Sequence, residues 1–258
     1  MSDYLMREMA PFGPELWAKI DEMVVRVAKQ TLVARRFVEL VGPLGWGVEV
    51  APKFGFTSEE GAAVATDPQY LPLVELSQEF IIKAKQLAIA DKTPFGLDLG
   101  AVAIATMKLA QAEDELVIGG LVKQAKTTGE LGDWSTPGGP FKAVATATAK
   151  LLAAGFAGPY ALVLSPEMYA RLAGLIQNGV RELEMVEKLA KGGIFQYSGK
   201  ALGDQALVLS LGAWNFDLVV GQDIATAYLG NEGLDQRFRI FETLALRVKL
   251  PGAICVLK

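Results

Sequence analysis

Histidine is absent from the 258 residues, and Cys255 is the single cysteine. Ser-His-Asp and Cys-His nucleophilic chemistry, histidine metal ligation and histidine proton relays therefore have no residues to run on. One cysteine cannot make an intrachain disulfide or a Cys-rich zinc site, and its apolar run over 253–257 reads as a buried strand. Carboxylates and lysines remain. The densest acidic group is Glu113-Asp114-Glu115. On a helix only spacings of three and four share a face, so adjacent carboxylates diverge, and the triplet reads as a solvated face rather than an acid–base pair or a metal site. Asp204, Asp217, Asp223 and Asp235 are scattered among turns, with nothing to bring two of them together. Gly199-Lys200 lacks the rest of a phosphate loop: Ile194 stands five residues before Gly199, and Ala201 stands where Ser or Thr would hold magnesium. No Gly-x-Gly-x-x-Gly occurs. Arg35 and Glu39, four apart, would pair with each other on a helix. Trp134 and Trp214 sit among turn residues and are expected to pack on their own domain. No catalytic residue and no metal site is expected.

Net charge is −4 and the isoelectric point about 5.1, which argues against a dedicated nucleic-acid binder with its basic field. Hydrophobic residues reach 51%, with 27 Gly besides, while charged residues are 21%. That excess over the usual apolar share needs burial. No run of eighteen apolar residues escapes a charge or a Gly/Pro break, so a membrane span is not expected. The first residues, Met1-Ser2-Asp3-Tyr4, show neither a basic nor an apolar leader segment, and a cytoplasmic location is expected. Subunit–subunit contact is the remaining place for the apolar surface.

The elements that must position these residues follow from periodicity. Leu16/Trp17, Ile20, Met23/Val24, Val27, Leu32 and Val38 recur at three- and four-residue spacing, predicting a helix over 14–41 that starts at Pro14 and stops at Gly42-Pro43. Residues 42–72 alternate turns with short apolar pieces, as a long hairpin or arm would; such an arm needs something outside its own domain to pack on. A strand is predicted over 71–87, and a long helix capped by Asp98 to about residue 126. A loop over 129–140 precedes a helix over 141–154. A buried strand spans 160–164, and Ser165-Pro166 opens a helix reaching about residue 178. A further helix covers 182–191. Alternation over 238–250 marks a long strand. The class is α+β.

Several blocks across the chain resemble one family. They are Ala10-Pro11-Phe12 with Trp17 and Ile20-Asp21, then Arg35-Arg36-Phe37-Val38 and Gly42-Pro43-Leu44-Gly45-Trp46. Leu71-Pro72-Leu73-Val74-Glu75-Leu76 and Glu113-Asp114-Glu115 follow. The second half carries Gly158-Pro159-Tyr160 through Leu164, Gly221-Gln222-Asp223 with Tyr228, and Phe241-Glu242-Thr243 through Pro251-Gly252-Ala253-Ile254. In order and spacing these blocks resemble the encapsulins, nanocompartment shell proteins that share the HK97-type phage capsid fold. The resemblance implies an N-terminal helix on the inner face (1–42), an extended arm (43–75), a peripheral domain with a long spine helix (76–140 and 229–258) and an axial domain (141–228). It implies a cargo-peptide groove at Ala28, Leu32, Arg35, Glu39 and Tyr228. Ala28 stands where an alignable relative has Phe, and Glu39 keeps the charge of that relative's Asp. The same resemblance places Glu184, Glu187, Lys188 and Lys191 at a five-fold pore. Some relatives stack a flavin on a Trp; the aligned position here is Lys85, so no cofactor is expected. The implied partners are further copies of the chain, about sixty in the smallest icosahedral shell or more in a larger quasi-equivalent one, and a cargo such as a ferritin-like protein or a haem peroxidase. The implied role is iron storage or oxidative-stress defence through that cargo, with neither nucleic acid nor membrane as partner. The alternative is a phage or prophage major capsid protein of the same fold enclosing DNA, whose lumen should be basic.

Overall fold

The computed structural model describes residues 4–59 and 61–258. The leader reading on Met1 to Asp3, and Glu60 within the turn-rich 57–61 stretch, lie outside the described residues. After a short 3-10 turn at Arg7–Met9, α1 spans Pro14–Thr31 and a second 3-10 turn covers Ala34–Arg36. Then come β1 (Glu39–Val41), β2 (Val50–Lys53), β3 (Phe56–Glu59), β4 (Ala62–Ala65), β5 (Gln69–Pro72) and β6 (Val74–Ile82). Helices α2 (Ala84–Lys92) and α3 (Gly100–Gln124), β7 (Thr127–Gly129), α4 (Gly139–Ala153), β8 (Tyr160–Leu164) and α5 (Pro166–Gly174) follow. The remainder is β9 (Ile176–Gln177), β10 (Val180–Arg181), α6 (Glu182–Leu189), β11 (Gly193–Gln196), β12 (Ala206–Ser210), β13 (Phe216–Val220), β14 (Ala225–Glu232), β15 (Asp235–Val248) and β16 (Ile254–Leu257).

Two five-stranded sheets carry the body. The first is organised by β15, which pairs antiparallel with β6, β14 and β13, while β1 adds parallel to β13. The second runs β11-β8-β12-β16-β7. Segment 229–258 is thus divided between the sheets, β15 in one and β16 in the other, and β13 joins the first sheet although it lies within 141–228. Side chains of both sheets meet α3 in one core: Val117, Ile118 and Leu121 against Leu218, Leu244 and Leu246 of the first sheet and Val163, Leu209 and Ile254 of the second. The covered face of α3 is wide, running from Val102, Ala105 and Leu109 through Glu113, Asp114, Val117 and Leu121, while Ile104, Met107, Lys108, Gln111 and Glu115 form an exposed stripe on the other side. A second core fills the space under α4, α5 and α6, including Cys255. The arm is a two-stranded ribbon, β2 with β5 and β3 with β4. Val50, Phe54, Phe56 and Tyr70 stand exposed on it. A lone ribbon is marginal in water, and apolar side chains on both arms of it call for a covering surface.

Several expectations are corrected. The first helix stops at Thr31 instead of continuing to residue 41, for a reason given below. The strand expected over 71–87 is two strands followed by α2. The break falls at Lys83, whose backbone N–H donates to Gln86 Oε1 (3.0 Å), while Asp235 accepts from Ala84 N (3.0 Å). Asp98 does not cap α3 from the N-cap position, which Leu99 occupies, but its Oδ1 accepts from Gly100 N (2.8 Å). Helix α5 ends at Gly174, because Asn178-Gly179 makes the tight turn of the β9–β10 hairpin, both residues with positive φ. The Ser165 start holds: its Oγ accepts from Met168 N (3.2 Å). Trp134 packs, its Nε1 donating to Leu131 O (2.9 Å), but Trp214 is exposed. Among the described residues no helix is long and apolar enough to cross a membrane, and no group of three His, Cys, Asp or Glu could hold a metal ion.

Candidate functional site

Helix α1 is held down along one stripe, Trp17, Ile20, Val24 and Ala28. Its first half lies on an aromatic cluster around Phe238, whose ring centroid is 4.8 Å from Phe80, 5.5 Å from Tyr228 and 5.7 Å from Phe12 and Trp17. Its second half crosses α3, where Ala28 and Leu32 pack on Ala110, with Ile224 beside them. Ile224 belongs to the loop before β14 and packs against this cluster. An open groove of about 360 Å³ results, floored by Val24, Val25, Ala28, Leu32 and Ile224 and rimmed by Lys29, Arg35, Arg36 and Asp223. Ala28 contributes to the width, since a larger side chain there would stand in the channel.

The end of α1 is set from outside the helix. Asp114 of α3 accepts from Val33 N (2.9 Å) and Ala34 N (2.8 Å), so its carboxylate takes the N–H groups that begin the next turn. Desolvation lifts Asp114 to about 6, opposed by those two backbone bonds. One residue later, Arg35 points into the protein. Its Nε donates to Glu113 Oε1 (2.8 Å) and Oε2 (3.0 Å), its Nη1 to Asp223 (2.8 Å) and its Nη2 to Glu242 (2.7 Å). Burial works against the guanidinium's charge, but the hydrogen bond and charge of Glu113, then Glu242, hold its pKa above the ordinary value. Glu113 and Glu242 are both fully buried, whereas Asp223 is half exposed. Glu242 is pushed well above the usual carboxylate range, by desolvation first and by Glu113 next.

Two expectations fall here. The acidic triplet is not a solvated face, because the covered face of α3 is wide enough to take two adjacent residues: Glu113 and Asp114 diverge as adjacent helix residues must, yet each meets protein. Glu115 alone is exposed, accepting from Lys200 N (3.0 Å) and from the Tyr197 hydroxyl. Arg35 does not pair with Glu39, since no helix joins them. Asp223 and Asp235 are likewise placed against cations, Arg35 and Lys83, and Asp217 is buried between Arg247 and Lys249, each 2.7 Å away.

Of the residues assigned to the groove, the structure brings Ala28, Leu32 and Arg35 together. Glu39 sits exposed in β1, opposite Asp217 in the ladder. Tyr228 is buried under the first half of α1, its hydroxyl donating to Gln236 Oε1 (2.5 Å), and does not line the groove. Val24, Val25, Lys29, Arg36, Asp223 and Ile224 line it and were not assigned from sequence. Val24 and Val25 precede Ala28 by four and three residues, so helical spacing could have found them; Asp223 and Ile224 carry no such signal. Glu184, Glu187, Lys188 and Lys191 share the exposed face of α6 and its end, while Val186 faces the core. Lys85 is exposed in the first turn of α2.

Residues 1–245 match the family described as encapsulating protein for peroxidase. The chain belongs to the encapsulin family. It is 36% identical to the type 1 encapsulin shell protein EncA of Myxococcus xanthus, over the whole chain and 97% of that relative. It is 31% identical to a diheme-cytochrome-encapsulin shell fusion protein of Kuenenia stuttgartiensis, covering 95% of the chain and 73% of the relative. Among solved structures it is similar to a virus-like particle from Pyrococcus furiosus, with a TM-score of 0.82 at 21% identity over 95% of this chain and all of the other. Chains of solved phage capsids share the architecture, so the fold is the HK97-type capsid fold. This encapsulin is a shell protein, and its arm, apolar excess and lack of histidine fit a part built for assembly.

Proposed function

We propose that about sixty copies of this encapsulin close into an icosahedral compartment, and that the groove beside α1 takes a short C-terminal targeting peptide of the enclosed enzyme. The observation that carries the docking reading is the groove itself, which combines an apolar lining with the charged side chains of Lys29, Arg35, Arg36 and Asp223. A short peptide gains affinity by burying a few apolar side chains, and rim charges fix its register. Among the described residues Arg36 and Lys29 are the cations of that rim with no carboxylate partner; Arg35 is committed to carboxylates. The exposed charges of α6 are assigned to the five-fold pore, and their mixed signs give no single-sign filter. No flavin is assigned to Lys85, which offers a cationic side chain and no ring to stack on.

The cargo is inferred to be a redox enzyme, a haem peroxidase or a ferritin-like protein, giving the compartment a role in oxidative-stress defence or iron storage. The family's description and the cytochrome fusion among its relatives support that class. Light scattering behind a sizing column tests the shell: sixty chains of 27.6 kDa give about 1.7 MDa. Megadalton particles with a protein-like absorbance ratio agree with the proposal. A dimer or hexamer would remove the compartment, and particles rich in nucleic acid would favour a DNA-enclosing capsid.

A further inference from the structure

We infer that Glu242 carries a proton in the folded chain, directed at Glu113, and that this proton fixes Arg35 and with it the 3-10 turn walling the groove. Among the described residues the only guanidinium inside the cluster is that of Arg35, and it faces Glu113 from α3, Glu242 from β15 and Asp223 from the loop before β14. Arg36, the next cation, is exposed and donates to Gln30 O (3.1 Å). Asp114, the next acid, is taken up by the backbone of Val33 and Ala34. With every carboxyl ionised, one buried cation would face two fully buried anions and a third at the edge. Two carboxylates sharing a dry site do not both ionise.

The second observation is an orphan. Glu242 Oε2 accepts from Arg35, but Glu242 Oε1 is buried without a hydrogen-bond partner. Both oxygens of Glu113 already accept from Arg35 Nε, so Glu113 is the ionised partner. A proton on Glu242 turns the orphan atom into a donor and lets the two carboxyls bind each other, which removes the repulsion and the unmet bond together. Glu242 is then a positioning residue. It lies on the central strand, its partner on the spine helix, and the cation they grip sits in the 3-10 turn that follows α1. The inference stands on the cluster alone and holds or fails whatever occupies the groove.

The linkage has one sign. A carboxyl whose folded pKa is raised stabilises the fold below its unfolded value, and that contribution is lost as pH rises through the folded value, here about 9. Assembled wild-type and Glu242→Gln shells are compared by hydrogen exchange of residues 27–38 at pH 7 and at pH 10, each pair at the same pH so that intrinsic exchange cancels. Gln mimics the protonated acid. The two are expected to match at pH 7, and the wild type to exchange at least tenfold faster than the variant at pH 10. Equal behaviour at pH 10, or a variant less protected at pH 7, overturns the inference. Infrared difference spectra of wild-type shells give a second reading: a buried protonated-carboxyl band present at pH 7 and lost by pH 10 supports it, and no such band at pH 7 overturns it even if the variant does not fold.

Discussion

Arg35 Nε lies 2.8 Å from Glu113 Oε1, a contact that closes a loop of 78 residues and ties the 3-10 turn after α1 to the middle of α3. The residue expected to serve as the groove's cation is therefore a structural counter-ion. Breaking a buried pair by removing one partner costs about 3–5 kcal/mol, a large part of the roughly 5–15 kcal/mol that holds a domain together. Arg35→Ala, and more so Arg35→Glu, is expected to abolish shells or lower their melting temperature sharply, rather than reduce cargo loading alone. Particle yield and thermal melting of the variants check this; intact shells with unchanged melting and reduced loading would restore the simpler view.

The loading groove should respond at its exposed residues without loss of the shell. Val25 is half exposed on the floor and Arg36 stands on the rim. Val25→Asp puts a charge where an apolar contact is expected; a loss of about 1.4 kcal/mol is a tenfold loss of affinity. Cargo per shell, read by densitometry after co-expression, is expected to fall about tenfold, with particle size unchanged. Arg36→Glu is expected to reduce loading in a salt-dependent way. Full loading of both variants would move the docking site elsewhere.

Phe238 is the test of how the loading helix is seated. It is fully buried and its ring meets Phe12, Trp17, Phe80 and Tyr228. Phe238→Ala is expected to cost about 3–5 kcal/mol. Because α1 rests on that ring, deleting residues 14–26 is expected to expose the cluster and give no soluble shells, rather than well-formed empty ones. Chemical denaturation of Phe238→Ala, and particle counts for the deletion, check the pair.

Local order in the chain made much of this legible. The stripe of α1 up to Ala28, the strand at β15 and the Ser165-Pro166 start are short-range patterns that the periodicity located, although α1 ends at Thr31 and both faces of β15 are buried from Phe241 to Leu246. The arm was readable as a segment too apolar to stand alone. What was not legible depends on distant partners. Thr31 ends its helix because Asp114, some eighty residues away, takes the next N–H groups, and no glycine or proline marks the spot. The acidic triplet misled because helical divergence says that Glu113 and Asp114 face different directions but not that protein lies in both. Tyr228 and Glu39 were joined to the groove by resemblance, and neither lines it. Asp223 closes the groove from a loop nearly two hundred residues on. Its neighbour Gly221 shows the constraint: an added Cβ would come within 2.5 Å of Thr243 Oγ1 and 2.7 Å of Leu73, so the loop must pass close there to bring Asp223 to Arg35.

The arm is the last point at which assembly can be separated from folding. Its ribbon leans on the body through Arg247, whose Nη1 donates to Pro52 O (2.8 Å), while Phe56 and Tyr70 face solvent in the single chain. Burying two aromatic side chains on a neighbour contributes about 3–6 kcal/mol at each contact, repeated around a closed shell. Phe56→Asp with Tyr70→Asp should therefore leave circular dichroism and melting of the isolated chain nearly unchanged, yet shift it from particles to small species in light scattering. Removing residues 56–62 is expected to do the same. Normal particles from either variant would show that the arm contributes nothing to the contact between copies, and the apolar surface it carries would need another cover.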